Sequence, residues 1–477
     1  MPPSIPPDKS LVSNLKNMTE IYNKRFIHLI ILTFLFGHLL YIDTPFVNLE
    51  WVYKAGTQYY TTWDPAFLDI YLSNQANPIT YSFFSSIFVY LFGDNYINYR
   101  LLSLFGGCLI LMSYIKYNSP FLVLMIALNP LVWIYSGRAY SELLSVGLLV
   151  LAIELHKSGY IKGIIGGISA SVKYHSILFA APYWGLKWLD SIFIKKEIDF
   201  KNTYFISALF STLVFIIFLI SYFYLYDIWI VPDKYKDTLA LKPTAFLNNF
   251  FSYGFYLSAL FFVTIPHLLR NTSLKTHLIA LSISLPLAII NQDNGEMNFG
   301  SLDQILGSQV ILLVKIIGFW NFLLCLDIFI RNKKYRVLAL TIIFYIAVLS
   351  ATRPAQRYLL FIIPFWALLI SQSDMKLHSL FKWGYISILL CLVIFTSLYQ
   401  VSNAKASEDV VNWSEENNLT INTNWIYPHV GDSPMHSWDS NLSVQIESKE
   451  NDEVLFKSPV MILGYEIRKY VVVRRKE

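Results

Sequence analysis

The sequence predicts an all-α polytopic membrane protein that ends in a small α/β domain outside the membrane. Of the 477 residues, 55% are hydrophobic and only 14% are charged, and the mean hydropathy is +0.47. Soluble proteins carry about 25% charged residues. The apolar runs are continuous, which indicates membrane helices rather than the alternating strands of a barrel. All three cysteines lie inside these runs, so the composition excludes a disulfide framework.

The apolar runs are long enough for between eleven and thirteen helical spans, since a span needs about 20 mostly apolar residues. The two shortest runs leave the number open. Together the spans form a predicted transmembrane domain over residues 26–400. The predicted spans are 26–42, 99–116, 120–136, 142–156, 162–173, 175–190, 203–225, 249–268, 276–290, 305–328, 337–351, 357–372 and 381–399.

A long aromatic stretch, residues 43–98, separates the first two spans and is predicted to be an outer loop. It contains the apolar segment Ile79–Phe92, which would be about 21 Å long as a helix and is short for a span. Treating it as a span inverts the charge pattern of the later loops. We therefore expect this segment to form a helix in the membrane interface.

The distribution of basic residues predicts the orientation. With residues 1–25 in the cytoplasm, lysine and arginine are more frequent in the inner loops, as at 331–336, than in the outer ones. An odd number of spans then places the C-terminus on the extracytoplasmic side. A bias toward lysine, asparagine and isoleucine fits an AT-rich genome. The predicted localisation is therefore the plasma membrane of a prokaryote.

Residues 401–477 differ in character, because they are polar, rich in asparagine and net acidic. Strand-like runs occur at 454–456 and 461–473. We expect these residues to form a small folded domain on the outer face.

One acidic residue stands out in the predicted outer loop. Glu50 follows the first span closely, is expected at the membrane surface, and is flanked by aromatic residues that include Tyr53 and Trp63. Aromatic rings pack on sugar faces, and they also suit the headgroup region. A carboxylate at this place is a candidate general base for an acceptor hydroxyl. Asp64 is a weaker candidate of the same kind, and a solvated loop acid is the alternative for both.

Four cations fall at the predicted outer ends of spans, where the charge rule disfavours them. A phosphate ligand would explain such cations, because guanidinium and ammonium groups bind phosphate oxygens. The alternative is that these cations form ion pairs. Glu142, for example, follows Arg138 by one helical turn. The four cations are Arg138, Lys173, Arg353 and Arg357.

Further polar residues are candidates for substrate contacts. His175 begins a predicted span, and Glu296 lies in an outer loop rich in amide and carboxyl groups, which suit sugar hydroxyls but also suit a turn. Neither the spacing of histidine and acidic residues nor a CxxC pair predicts a metal site, and no nucleotide-binding glycine motif occurs.

The order of these features resembles the GT-C superfamily of membrane glycosyltransferases, especially the protein O-mannosyltransferases and the aminoarabinose transferases that modify lipid A. An early acid in a long first outer loop precedes the similar motifs. These are NPITY at 77–81, LFGD at 91–94, YRLLSLFG at 99–106, NPL…YSGR at 129–138, GGISASVKY at 166–174 and RYLLFIIP at 357–364.

The resemblance implies that the donor is a sugar linked to a polyprenyl or dolichyl phosphate, with transfer on the extracytoplasmic face. A single displacement by the acceptor hydroxyl would then invert the anomeric carbon. The resemblance also implies that Glu50 acts as the base and that Arg138, Lys173 and Arg357 lie near the donor phosphate. The family commonly has an Asp-Glu pair, whereas Leu49 precedes Glu50 here. The resemblance implies no resident cofactor, and any metal requirement is left open. The expected partners are the bilayer, this donor and a glycan, lipid or protein acceptor, with no role for nucleic acid.

Two other functions are compatible with the same residues. A lipid or sugar transporter, or a flippase, would bind the ligand without chemistry. Transporters often contain paired repeats and broken helices at mid-membrane, and the sequence shows no repeat. A glycan polymerase or ligase that uses diphosphate-linked donors would share both the cations and the topology.

Overall fold

The computed structural model describes residues 9–46, 49–74, 77–154, 158–196, 198–232, 242–291, 301–352, 354–373, 375, 377–421, 442–445 and 453–474. The helices in these ranges are α1 (Lys9–Leu39), α2 (Glu50–Thr62), α3 (Pro65–Asn74), α4 (Thr80–Phe92), α5 (Tyr96–Ser113), α6 (Pro120–Ala127), α7 (Pro130–Ser136), α8 (Ser141–Glu154), α9 (Gly159–Val172), α10 (His175–Lys195), α11 (Thr203–Tyr226), α12 (Phe246–Ala259), α13 (Ile265–Asn271), α14 (Leu274–Ile290), α15 (Ser301–Arg331), α16 (Arg336–Ser350), α17 (Ile363–Gln372) and α18 (Ser379–Glu416). The strands are β1 (Leu442–Gln445), β2 (Glu453–Ile462) and β3 (Tyr465–Arg474).

Four described helical segments are long and apolar enough to cross a membrane: Tyr96–Tyr117, Thr203–Tyr226, Gly307–Arg331 and Ser379–Glu416. Two bent pairs add up to two more. The pair α7 and α8 is bent by 113°, and Pro243–Ala259 and Phe262–Asn271 are bent by 68°. The described chain is therefore a helical membrane protein with four to six candidate spans. The predicted number of eleven to thirteen spans is not confirmed.

The difference arises because several apolar runs form helices that are interrupted or short. The predicted span 120–136 consists of α6 and α7. Pro130 begins α7, and the Asn129 side chain caps it by accepting a hydrogen bond from the backbone N–H of Leu131. Other apolar helices stay below the roughly 20 residues of a span, since α14 has 17 residues and α16 has 15.

Two glycines allow α5 and α8 to cross at very short distance. A Cβ atom at Gly106 would lie 2.3 Å from the carbonyl oxygen of Leu143, and one at Gly147 would lie 2.5 Å from the carbonyl oxygen of Gly106. Small residues permit such backbone contact between membrane helices. Nearby, the Ser103 hydroxyl of α5 donates a hydrogen bond to the Tyr140 carbonyl, at 2.7 Å. The first turns of α5 therefore lie beside the connection between α7 and α8.

The segment expected in the membrane interface does form a helix, α4. One face of it is buried, including Tyr81 and Ser85, while Phe83, Ile87 and Tyr90 on the other face are exposed. Its location in the interface stays a prediction.

The strands form one antiparallel sheet with the order β1-β3-β2, and this sheet packs on the end of α18. Helix α18 continues without a break across the predicted boundary at residue 401. Both predicted strand-like runs fall on strands, but a turn at Leu463 and Gly464, each with positive φ, divides the second run. Residues buried between the helix and the sheet include Ala406, Val410, Val460 and Val472.

Candidate functional site

Glu50 is the first residue of α2, and its side chain is completely buried. Its carboxylate forms a bidentate ion pair with Arg100 of α5: Nε lies 2.8 Å from Oε1, and Nη2 lies 3.0 Å from Oε2. The backbone N–H of Ala139 also donates to Oε1, at 2.8 Å. The alternative interpretation of Glu50 as a solvated loop acid is therefore wrong, whereas its role as a base stays a prediction. The Glu50 carboxylate is stable in a buried position because the Arg100 guanidinium donates one hydrogen bond to each of its two oxygens.

Arg100 is held in place by the chain that follows the first helix. Its guanidinium also donates hydrogen bonds to the backbone carbonyls of Ile42, Thr44 and Pro45, at 2.6, 2.7 and 3.1 Å. The ion pair thus ties α2, α5 and the segment 42–45 together. To act as a general base, Glu50 would have to exchange one of these partners for a substrate hydroxyl.

A second group of buried charges surrounds Glu142, in the first turn of α8. The Lys173 Nζ lies 2.9 Å from Glu142 Oε1, and the Arg357 Nε lies 3.4 Å from the same oxygen. Lys173 is completely buried and Glu142 is 1% exposed, whereas the Arg357 side chain is 22% exposed. Two cations therefore share one carboxylate, and one of them borders on solvent-accessible space.

The connection between α7 and α8 links the two charged groups. Within four consecutive residues, the Ala139 N–H binds Glu50, the Ser141 hydroxyl contacts the Tyr53 hydroxyl at 2.9 Å, and Glu142 pairs with Lys173. This connection forms the vertex of the 113° bend. In one continuous helix, the side chains of successive residues point in different directions. The bend changes these directions and thereby brings the two charged groups close together.

Tyr53 lies on α2, one turn after Glu50, and its hydroxyl reaches Ser141, the residue before Glu142. Its hydroxyl accepts a hydrogen bond from Asn77 Nδ2, at 3.3 Å, and shares a hydrogen bond with Ser141. Burial, and then the negative charge of Glu142, raise the pKa of Tyr53 well above its usual value. The phenol therefore stays protonated and serves as a hydrogen-bonding group rather than as a base.

Arg138 lies in the same connection and is partly buried. Its guanidinium is close enough to Glu50, Tyr140 and Tyr135 to interact with them electrostatically. Among the residues that the structure describes, Arg138 has no carboxylate within the 4.0 Å of an ion pair. This cation can therefore receive an anionic ligand without giving up an ion-pair partner.

The structure brings together seven of the residues selected from the sequence: Glu50, Tyr53, Arg138, Glu142, Lys173, His175 and Arg357. The imidazole of His175 stacks on the ring of Tyr358, with the centroids 3.9 Å apart. The ring of Tyr358 also faces the Lys173 ammonium and the Arg357 guanidinium, at 5.6 and 5.5 Å. His175 therefore belongs to the wall of the Glu142 group.

Other selected residues lie elsewhere. Asp64 is exposed, and its carboxylate caps the start of α3 by accepting the backbone N–H of Ala66. Trp63 is 69% exposed, and its ring makes edge-on contacts with the rings of Tyr59 and Tyr60. Arg353 and Glu296 lie outside the described residues.

The sequence analysis did not select Arg100, which is the partner of Glu50. The signal was available, because Arg100 also lies at the predicted outer end of a span. Asn77 and Ser141 are further contributors that were not selected, and nothing in their local sequence distinguishes them from ordinary capping residues.

Within the described parts of the chain, no group of three or more histidine, cysteine, aspartate or glutamate residues is arranged to hold a metal ion. The described charged side chains of the site are four cations, Arg100, Arg138, Lys173 and Arg357, and two acids, Glu50 and Glu142. Fold and site together define a helical membrane protein with a buried, positively charged site. Comparisons with protein-family models, curated proteins and solved structures found no match to this chain.

Proposed function

We propose that this protein is a membrane glycosyltransferase. It would move a sugar from a polyprenyl-phosphate or dolichyl-phosphate donor to a hydroxyl group of a glycan, lipid or protein acceptor on the extracytoplasmic face. Mannose is the proposed sugar, on the family resemblance alone.

The observation that carries the proposal is an excess of positive charge among the described residues of the site. Four cations, Arg100, Arg138, Lys173 and Arg357, surround the two described acids Glu50 and Glu142. An uncompensated charge that is removed from water costs several kcal/mol, in order of magnitude. The donor is a phosphodiester with one negative charge, and the polyprenyl phosphate that leaves has two, so the site would offset its charge best as the phosphate leaves. A lipid-linked phosphate would reach the site from the bilayer.

The proposed reaction is a single displacement at the anomeric carbon. The acceptor oxygen attacks the anomeric carbon, the bond from that carbon to the phosphate oxygen breaks, and its electron pair leaves with the phosphate. A single displacement inverts the configuration. Arg138 and Arg357 would stabilise the charge that develops on the leaving phosphate, since fixed cations act most strongly in a site from which water is excluded.

The proton of the acceptor hydroxyl needs a base, and we assign this role to Glu50. Its carboxylate must then release one donor of Arg100 or Ala139 when the substrates bind. Asp64 is less suited to this role, because it is exposed and caps α3. The contacts of Glu50 and Arg100 would in either case hold α2, α5 and the segment 42–45 together.

The proposal is tested by incubating the protein in liposomes with radiolabelled polyprenyl-phosphate sugar and a mixture of candidate acceptors. We expect incorporation of label into an acceptor by the wild-type protein and its loss in Arg138→Gln. Arg331→Gln is the matched control, because Arg331 is exposed and pairs with Asp327. Glu50→Gln tests the base separately: at a temperature at which this destabilised variant is still folded, it should bind the donor but lose turnover. Transfer at wild-type rate by Arg138→Gln would contradict the proposal.

One observation favours the transporter alternative. The two bent helix pairs resemble the broken helices that form binding sites in transporters, and one bend carries Arg138. A lipid-phosphate flippase would bind the same donor through the same cations. The liposome experiment separates the two functions, since a flippase changes the leaflet of the labelled lipid and leaves its sugar attached.

A further inference from the structure

The hairpin of β2 and β3 runs alongside α18 in a fixed direction. The backbone N–H of Met461 donates to the Ser402 hydroxyl, the Ser458 hydroxyl donates to Asp409, and the ring of Phe456 stacks on that of Trp413. Strand β2 and helix α18 are therefore antiparallel: the C-terminal end of β2 lies beside the part of α18 that comes first in the sequence. The turn at Leu463 and Gly464 consequently points toward the apolar part of the helix.

That apolar part ends close to the turn. The predicted span covers residues 381–399, and Ser402 follows its last residue by about 4.5 Å of helix. Trp413, beside the middle of β2, is about 16 Å further along. If α18 crosses the bilayer, the turn of the hairpin lies at the level where the headgroups begin.

The side chains around the turn are apolar and exposed. Leu463 is 83% exposed, Tyr465 is 76% exposed and Met461 is 41% exposed. At the opposite end of the hairpin, Glu453 and Arg474 form an exposed ion pair at 3.1 Å. The tip of the hairpin is thus apolar, and an exposed pair, Glu466 and Lys469 at 3.6 Å, follows directly behind it.

The residues just behind the turn have the composition of a membrane interface. The Arg468 guanidinium donates to the Tyr399 hydroxyl, at 3.2 Å, and Lys469 follows it. Tyrosine, arginine and lysine are enriched at the headgroup level. The tyrosine ring is amphipathic and suits this level, and the two cations reach the lipid phosphates there. This belt lies next to the exposed apolar turn.

We propose that the β2–β3 turn inserts into the headgroup–acyl boundary of the bilayer, so that Met461, Leu463 and Tyr465 anchor the C-terminal sheet to the membrane surface. The occupant of this apolar patch is lipid. The insertion would fix the sheet against the end of α18 and limit its rotation about the helix. The inference depends on α18 crossing the membrane and is independent of the proposed transfer reaction.

The test uses the full chain in liposomes, with Cys108, Cys325 and Cys391 replaced by serine. Leu463→Cys and, as the matched control, Glu453→Cys are each labelled with an environment-sensitive fluorophore. We expect blue-shifted emission at position 463 and strong quenching by lipids that carry a nitroxide near the headgroup. The label at position 453 should show neither effect.

Equal emission and equal quenching at the two positions would overturn the proposal. Blue-shifted emission at position 463 without quenching by nitroxide lipids would also overturn it, because the patch would then be covered by protein. A further variant, Leu463→Asp, is compared with the wild-type protein by limited proteolysis. Its C-terminal sheet should be cleaved faster than that of the wild-type protein in liposomes, but at the same rate in detergent.

Discussion

The carboxylate of Glu50 and the guanidinium of Arg100 form a buried bidentate ion pair between helices α2 and α5. The two residues are fifty positions apart in the chain. Helix α2 follows the first helix closely, and α5 is one of the candidate membrane spans. The pair therefore fixes the helices of the predicted outer loop to the membrane domain.

Breaking this pair should destabilise the protein strongly. Glu50→Gln and Arg100→Gln each leave a buried partner uncompensated, which costs about 3–5 kcal/mol in comparable pairs. The double variant should lose less stability than the two single losses combined, because the partners interact directly. Thermal unfolding in detergent measures the effect. Glu20→Gln is the control, since the exposed pair of Glu20 and Lys24 should contribute only about 0–1 kcal/mol.

Removing the shared acid of the second group should strengthen phosphate binding. Glu142→Gln leaves Lys173 and Arg357 without the charge of their carboxylate partner, so the site becomes more positive. We expect the variant to bind a polyprenyl phosphate more tightly than the wild-type protein, as measured by titration in detergent. An ion pair with a purely structural role would give lower thermal stability and an unchanged affinity, which would contradict the assignment of these cations to the donor.

Arg138→Gln should weaken phosphate binding without a large loss of stability. This guanidinium has no carboxylate partner within ion-pair distance in the described residues, so its removal leaves no acid unpaired. A hydrogen bond to a charged group contributes about 1.5–3 kcal/mol, which corresponds to a roughly 10- to 100-fold loss of affinity. The same titration measures it. A large fall in the unfolding temperature with unchanged affinity would mean that Arg138 is structural.

The crossing of α5 and α8 should not tolerate a larger residue than glycine. Gly106→Ala would place a methyl group 2.3 Å from a backbone carbonyl of α8, and forcing the helices apart costs about 1–3 kcal/mol or more. Because the crossing positions Arg100 and Glu142, the proposed transfer activity should fall as well. Gly185→Ala is the control, since a Cβ atom there meets no atom within 4 Å. Equal unfolding temperatures for the two variants would show that the helices separate without cost.

The membrane class of this protein could be predicted from composition, because the shortage of charge is a property of the chain as a whole. The number of spans could not. Asn129 and Pro130 divide one apolar run by local capping chemistry, yet hydropathy alone does not tell a broken run from a continuous one. Strands β2 and β3 were predictable from their β-branched and aromatic residues, whereas β1 and the turn at Leu463 and Gly464 were not recognised.

The sequence by itself determined that cations such as Lys173 and Arg357 stand at the ends of apolar runs, since the cost of a charge in lipid makes such positions conspicuous. Only the tertiary structure decided which acid each cation contacts. Glu50 looked like a surface carboxylate because its partner, Arg100, is far away along the chain, and pairing across helices has no signature in local sequence. The close crossing of α5 and α8 and the bend before α8 are the packing events that bring these charges together.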